Sequence, residues 1–111
     1  MTNDVLAQLA ATIRDRRTAS SDKSYTRQLL DAGPRRCAKK FGEEATEAVI
    51  AALSEGPEEL RAEAADVLYH LLVLLESRDV SIDDVLTTLA GRMGLSGLDE
   101  KASRSKSVGS Q

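Results

Sequence analysis

The chain reads as an all-α domain of four main helices, a helical hairpin or bundle that assembles with further copies into an oligomeric helical bundle. Three observations predict this. Apolar residues recur at three- and four-residue intervals, and no stretch alternates polar with apolar as a half-buried strand would. Hydrophobic residues make up 41% of the 111 residues and aromatics only 3%, so the core must come mostly from Leu, Ala and Val, a composition that favours helices. Gly33-Pro34 and Gly56-Pro57 punctuate the chain where one helix stops and the next restarts.

Asp4 is placed to cap a first helix, in which Val5, Leu6, Leu9 and Ile13 form one apolar stripe ending near Arg16-Arg17. After a polar stretch from Thr18 to Lys23, Ser24 to Asp31 fits a short helical turn closed by Ala32-Gly33-Pro34. Pro34 suits the first turn of a second helix, which runs to about Leu53 and stops at Ser54-Glu55-Gly56. Pro57 opens a third helix to about Ser77. Ser81-Ile82-Asp83-Asp84 resembles a capping box and opens a fourth helix ending by about Gly94. Residues 1–104 are expected to form one domain, and 105–111 a polar tail too poor in apolar groups to fold alone.

Composition also narrows the function. The longest apolar-rich runs without charge, Val5 to Ile13 and Val67 to Leu75, are nine residues each, well below the roughly 20 that a membrane span needs. The N-terminus lacks the basic start and apolar block of an export signal, and the lone Cys37 offers no disulfide framework, so a cytoplasmic location is expected. Net charge is −3, too small for a nucleic-acid-binding surface. If Glu43, Glu44, Glu47, Glu63 and Asp66 are set aside from the 18 acids, 13 remain against 15 bases, so these five carboxylates alone produce the acidic balance.

At 100° per residue, Lys40, Glu43, Glu44 and Glu47 fall within one arc of the second helix, with Phe41, Ala45, Ala48, Val49 and Ala52 on the other side. Taken alone, such a charge run is usually a solvated face. The third helix argues otherwise. From Asp66 to Leu75 it is apolar nearly all round and should be covered on most sides, yet Glu63 and Asp66 lie within it beside Val67, Val73 and Leu74. Burying carboxylates is costly unless they are paired or bound to a metal, and no Lys or Arg lies between Arg61 and Arg78. Glu44-Ala-Thr-Glu47 and Glu63-Ala-Ala-Asp66 each carry acids at i and i+3, and a short turn at Gly56-Pro57 makes their helices antiparallel neighbours. Several carboxylates with no thiolate nearby suit a hard cation, Mg²⁺ or Mn²⁺, whose coordination is commonly completed by substrate phosphates.

These motifs resemble the all-α nucleoside triphosphate pyrophosphohydrolases of the MazG type. More specifically, Ser24-Tyr25-Thr26, the run Lys39 to Glu47, the run Asp66 to Leu72 and the run Ser96 to Arg104 resemble the phosphoribosyl-ATP pyrophosphohydrolase family, over about residues 4 to 104. The resemblance implies hydrolysis of phosphoribosyl-ATP to phosphoribosyl-AMP and pyrophosphate, the second step of histidine biosynthesis. It also implies a homo-oligomer, in the first place a dimer.

Carried over by position, it makes Glu44, Glu47, Glu63 and Asp66 the metal ligands. Glu43, Glu44 and Glu47 become the catalytic carboxylates, and Glu43 is the one free to orient water or hold a second cation. Lys39 and Lys40 are expected to meet substrate phosphates, and Lys101 and Arg104 to do so if the C-terminal segment folds over the site. Arg35 and Arg36 suit phosphate or plain solubility equally. His70 is expected to be a hydrogen-bonded core or interface residue, Cys37 a small buried side chain, and Ser24, Tyr25 and Thr26 either substrate contacts or a helix start.

Three rival functions share features of this pattern. Another MazG-type pyrophosphohydrolase would keep the acids but not the Ser-Tyr-Thr and Ser-Gly-Leu-Asp-Glu-Lys blocks. A non-enzymatic helical dimerisation module would explain the apolar third helix but not the acids embedded in it. A di-iron carboxylate bundle needs Glu-x-x-His pairs, and the single His70 lies seven residues after Glu63.

Overall fold

The computed structural model describes residues 5–20 and 24–94. The Asp4 cap, Lys101, Arg104 and the 105–111 segment lie outside them. Among the described residues the architecture is all helical: α1 (Val5–Asp15), a 3₁₀ turn (Arg16–Thr18), α2 (Tyr25–Ala32), α3 (Pro34–Ser54), α4 (Pro57–Ser77) and α5 (Ile82–Met93). The four main helices expected from the sequence are α1, α3, α4 and α5. The expected turn at Ser24 is a full helix, α2, because the Ser24 hydroxyl accepts the Arg27 N–H at 3.1 Å and Leu29 and Leu30 pack into the core.

The framework is the antiparallel α3–α4 hairpin, against which α1 and α2 pack at one end, with α5 touching α1. Gly33 is the joint between α2 and α3. Its φ of 97° and ψ of 174° lie in a region closed to residues with a Cβ; its N–H closes α2 on the carbonyls of Leu29 and Leu30, and its own carbonyl accepts the Cys37 N–H. Pro57 starts α4, and the Glu59 carboxylate accepts the Gly56 N–H at 3.0 Å. At the other end of α4, Asp79 adopts φ 58°, and two bonds, Val80 N–H to Leu75 and Asp79 N–H to Glu76, close the helix in a Schellman arrangement. The Ser81 hydroxyl then accepts the Asp83 N–H and opens α5.

The core sits between α1, α2 and the part of the hairpin away from its turn: Ile13, Leu29, Cys37, Leu72 and Val73 are buried, with Leu6, Leu9, Tyr69 and Leu75 packed against them. The covered side of α3 is Cys37, Lys40, Phe41, Glu44, Ala45, Ala48 and Ala51, all within about 140° on the helical wheel. It includes Phe41, Ala45 and Ala48 of the apolar side expected from the sequence but not the rest of it. Val49 and Ala52 are exposed, as are Ile50 and Leu53, the last at 82%. Within one chain α4 alone covers this half of α3, so only residues directly facing α4 are shielded. The apolar stretch of α4 is likewise only partly covered, with Leu68 exposed on its outer side.

A buried acid on α4 solves its charge differently from the expected cluster. Glu76, buried against α1, receives the Arg17 guanidinium in a very short contact and Arg14 at 3.6 Å, and Arg17 also donates to Asp79 at 3.0 Å. The cationic partners that α4 lacks beyond Arg61 come from α1 and the 3₁₀ turn.

Candidate active site

The register of the α3–α4 hairpin follows from its ends. Pro57 restarts the chain three residues after α3 stops, and at the far end Ser77 lies beside the Cys37 thiol. Between these limits the Glu44–Glu47 and Glu63–Asp66 motifs come opposite each other. Glu44, Glu63 and Asp66 each place a carboxylate oxygen within 4.8 Å of the other two. Glu44 and Glu63 are half-buried and Asp66 is exposed, so the cluster sits at the edge of the helix interface with one side open to solvent. Glu47 is exposed beside it and adjoins the Glu63 carboxylate.

Glu63 carries the strain of this arrangement. One of its oxygens is buried without a hydrogen-bond partner, and its pKa is held above the ordinary 4.5 by desolvation, then by repulsion from Glu47, Asp66 and Glu44. No Lys or Arg among the described residues forms an ion pair with Glu44, Glu47, Glu63 or Asp66. Converging anionic oxygens, one of them orphaned, with no thiolate among them, fit a hard divalent cation of the Mg²⁺ type.

The remaining expected residues fall into three groups. Lys40 and Glu43 flank the cluster and pair with each other at 3.3 Å; this bond, more than any other contact, raises the lysine pKa, and the ammonium also feels Tyr25 and Glu44. Lys39, Arg35 and Arg36 are exposed on the same helix and form no ion pair with the acids. Ser24 is buried as the cap of α2, and the Thr26 and Tyr69 hydroxyls share a hydrogen bond, so both serve the fold, whereas Tyr25 stays 50% exposed beside the site.

Cys37 is buried, as expected; burial pushes its thiol pKa up, and it donates to the Leu29 carbonyl at 3.3 Å. His70 is a partial correction. It is buried at 7% exposure with Tyr25 and Tyr69 edge-on at 6.2 and 4.9 Å, but its Nδ1 has no hydrogen-bond partner. Burial lowers its pKa, against the pull of Glu44, Asp66 and Glu43 and with the help of Lys40.

Sequence reasoning missed the Glu76–Arg17–Arg14 group, since nothing in the spacing of Arg14 and Arg17 points to residues more than 50 positions away. A concavity of about 260 Å³ lies beside that group, lined by Ala10, Arg14, Leu72, Leu75, Glu76 and Ile82. It holds none of the clustered carboxylates, and of its two acids Glu76 is already paired with arginines while Asp83 lies in the first turn of α5. The carboxylate cluster, open and uncompensated, is the better seat for chemistry.

Residues 6–93 match the family model of phosphoribosyl-ATP pyrophosphohydrolase, which spans nearly all the described helices. The chain belongs to this family. It is 55% identical over 102 residues to the phosphoribosyl-ATP pyrophosphatase of Ruegeria sp. (strain TM1040), covering 92% of this chain and 97% of that one. The Dinoroseobacter shibae phosphoribosyl-ATP pyrophosphatase is 56% identical over 100 residues, or 90% and 98% of the two chains. Phosphoribosyl-ATP pyrophosphatase 1 of Rhodopseudomonas palustris is 52% identical over 106 residues, or 96% and 99%. As the matched region of this family member runs through both acidic motifs, the cluster lies inside the shared domain.

Proposed function

We propose that the chain hydrolyses phosphoribosyl-ATP to phosphoribosyl-AMP and pyrophosphate, the second step of histidine biosynthesis, at the α3–α4 carboxylate cluster. Family membership supplies the substrate, and the convergence of Glu44, Glu63 and Asp66 carries the assignment of the site. In this reading Glu44, Glu47, Glu63 and Asp66 hold Mg²⁺, or Mn²⁺ in its place. When bound, the cation neutralises phosphate charge and polarises the anhydride.

The protein's own groups do the rest. Lys40, held by Glu43, faces the negative charge that accumulates on the phosphates, and Lys39 extends that positive edge. Glu43, the acid outside that ligand set, orients the attacking water, and a carboxylate of the cluster accepts its proton. Lys101 and Arg104 are assigned to the phosphates from the far end of the chain.

We also infer a homo-oligomer, in the first place a dimer, located in the cytoplasm. No helix among the described residues is long and apolar enough to cross a membrane, and α3, α4 and α5 carry exposed Val49, Ile50, Leu53, Leu68, Leu86, Leu89 and Met93. Apolar surface of that extent favours association.

The decisive experiment is turnover of phosphoribosyl-ATP against a panel of ribo- and deoxyribonucleoside triphosphates, with Mg²⁺ and with excess chelator. Preferred, cation-dependent release of pyrophosphate from phosphoribosyl-ATP is the expected result. Preference for a deoxynucleotide would assign the chain another pyrophosphohydrolase activity, and full turnover after verified metal removal would refute the role of the cation.

A further inference from the structure

Besides the Glu63 oxygen, one other buried side-chain polar atom among the described residues lacks a partner, the Nδ1 of His70. Such an orphan is costly, and in a native fold it calls for an explanation. The ring is more than nine-tenths buried, so solvent does not satisfy it. Its neighbours narrow the choice of partner. The Tyr25 and Tyr69 rings stand nearly perpendicular to the imidazole, and the Tyr69 hydroxyl is engaged with Thr26. Lys40 and Glu43 are engaged with each other. That leaves Asp66, one turn earlier on the same helix and exposed, and Glu44, half-buried and facing α4 across the hairpin. Of these, Glu44 exerts the larger electrostatic effect on the imidazole. Glu44, the less exposed of the two, is the carboxylate that shares the covered side of the hairpin with the imidazole.

We propose that His70 is a positioning residue for the metal centre: its Nδ1–H donates to the Glu44 carboxylate when that group turns one oxygen towards a divalent cation, fixing the second oxygen. The inference rests on the cation-dependent reading of the cluster and extends it by one residue. Ligating carboxylates are ordinarily held by such outer hydrogen bonds, and losing one typically lowers metal affinity about 10- to 100-fold.

Three substitutions in the full-length chain test this. Phe at position 70 keeps a ring between Tyr25 and Tyr69 without a donor, Asn places an amide near the Nδ1 position, and Gln places one near Nε2. Mg²⁺ binding is measured by calorimetry without substrate, and thermal unfolding is measured in chelator. The expected pattern is a Kd for Mg²⁺ raised about 10- to 100-fold in His70→Phe and His70→Gln. His70→Asn should recover most of that loss, and His70→Phe should keep wild-type or higher metal-free stability.

Unchanged affinity in His70→Phe beside normal wild-type binding would overturn the role of His70 and leave the cation site standing. Absence of Mg²⁺ binding in the wild type would overturn both. Equal affinity loss in all three variants, tracking a fall in stability, would make the residue structural and also overturn the proposal; if His70→Phe does not fold, Asn against Gln decides by the same rule.

Discussion

Replacing Asp66 by Asn separates catalysis from folding at the carboxylate cluster, because the two are expected to move in opposite directions. The substitution keeps the side-chain size and removes one anionic oxygen from a group whose members lie within 4.8 Å. At that separation the repulsion between Glu44 and Asp66 alone is about 1 kcal/mol with water-like screening, the fitting limit for an exposed Asp66. Relief of repulsion toward Glu63 has the same sign. The metal-free variant is therefore expected to unfold at the same temperature as the wild type or several degrees higher, since 1 kcal/mol moves Tm by about 4–8 °C in a domain near this size. Turnover should fall on the order of 100-fold or more, the typical cost of one preorganised electrostatic contact in the transition state. Glu47→Gln should behave alike. The assay pairs thermal unfolding in chelator with pyrophosphate release from phosphoribosyl-ATP at saturating Mg²⁺. A lower Tm with unchanged turnover per folded molecule would refute the assignment and make these acids part of the scaffold.

Glu76→Gln should show the reverse pattern. It trades a buried charge-assisted pair for a neutral hydrogen bond, and because Arg17 is partly solvated the cost is about 2 kcal/mol, or roughly 10 °C in Tm, with turnover per folded molecule unchanged. The raised pKa of Glu63 predicts a pH effect: its contribution to stability is fully present below the unfolded value of 4.5 and is lost as pH rises through the higher folded value. In chelator, then, acidification from pH 7 toward 4.5 should stabilise the wild type relative to Glu63→Gln, and parallel pH–Tm curves for the two would count against the clustering. Light scattering at micromolar concentration should give a mass above the 11.9 kDa of one chain, and a Leu53→Lys/Met93→Lys pair of variants should show whether the α3 or the α5 surface carries the association.

Much of this molecule could be read from its residues in order. Gly33-Pro34 and Gly56-Pro57 bound the long helices because a positive-φ joint and a fixed-φ first turn are local demands, met by local chemistry. The i, i+3 spacing of Glu44–Glu47 and Glu63–Asp66, with a short turn between their helices, was enough to bring the two motifs together. Family membership was legible in the same blocks.

Tertiary structure decided what depends on facing surfaces. A helical wheel sorts α3 into polar and apolar sides, but burial depends on where α4 lies, which places Glu44 on the covered stripe with Cys37 and Ala51 and leaves Val49 outside. The same holds for compensation of charge. Glu63 and Glu76 are both acids of one apolar helix, yet α1 brings two arginines to Glu76, while Glu63 faces only other carboxylates. Sequence spacing reports the neighbours along one helix, whereas a buried charge is settled by the groups across from it, and that choice is made by the packing of distant segments.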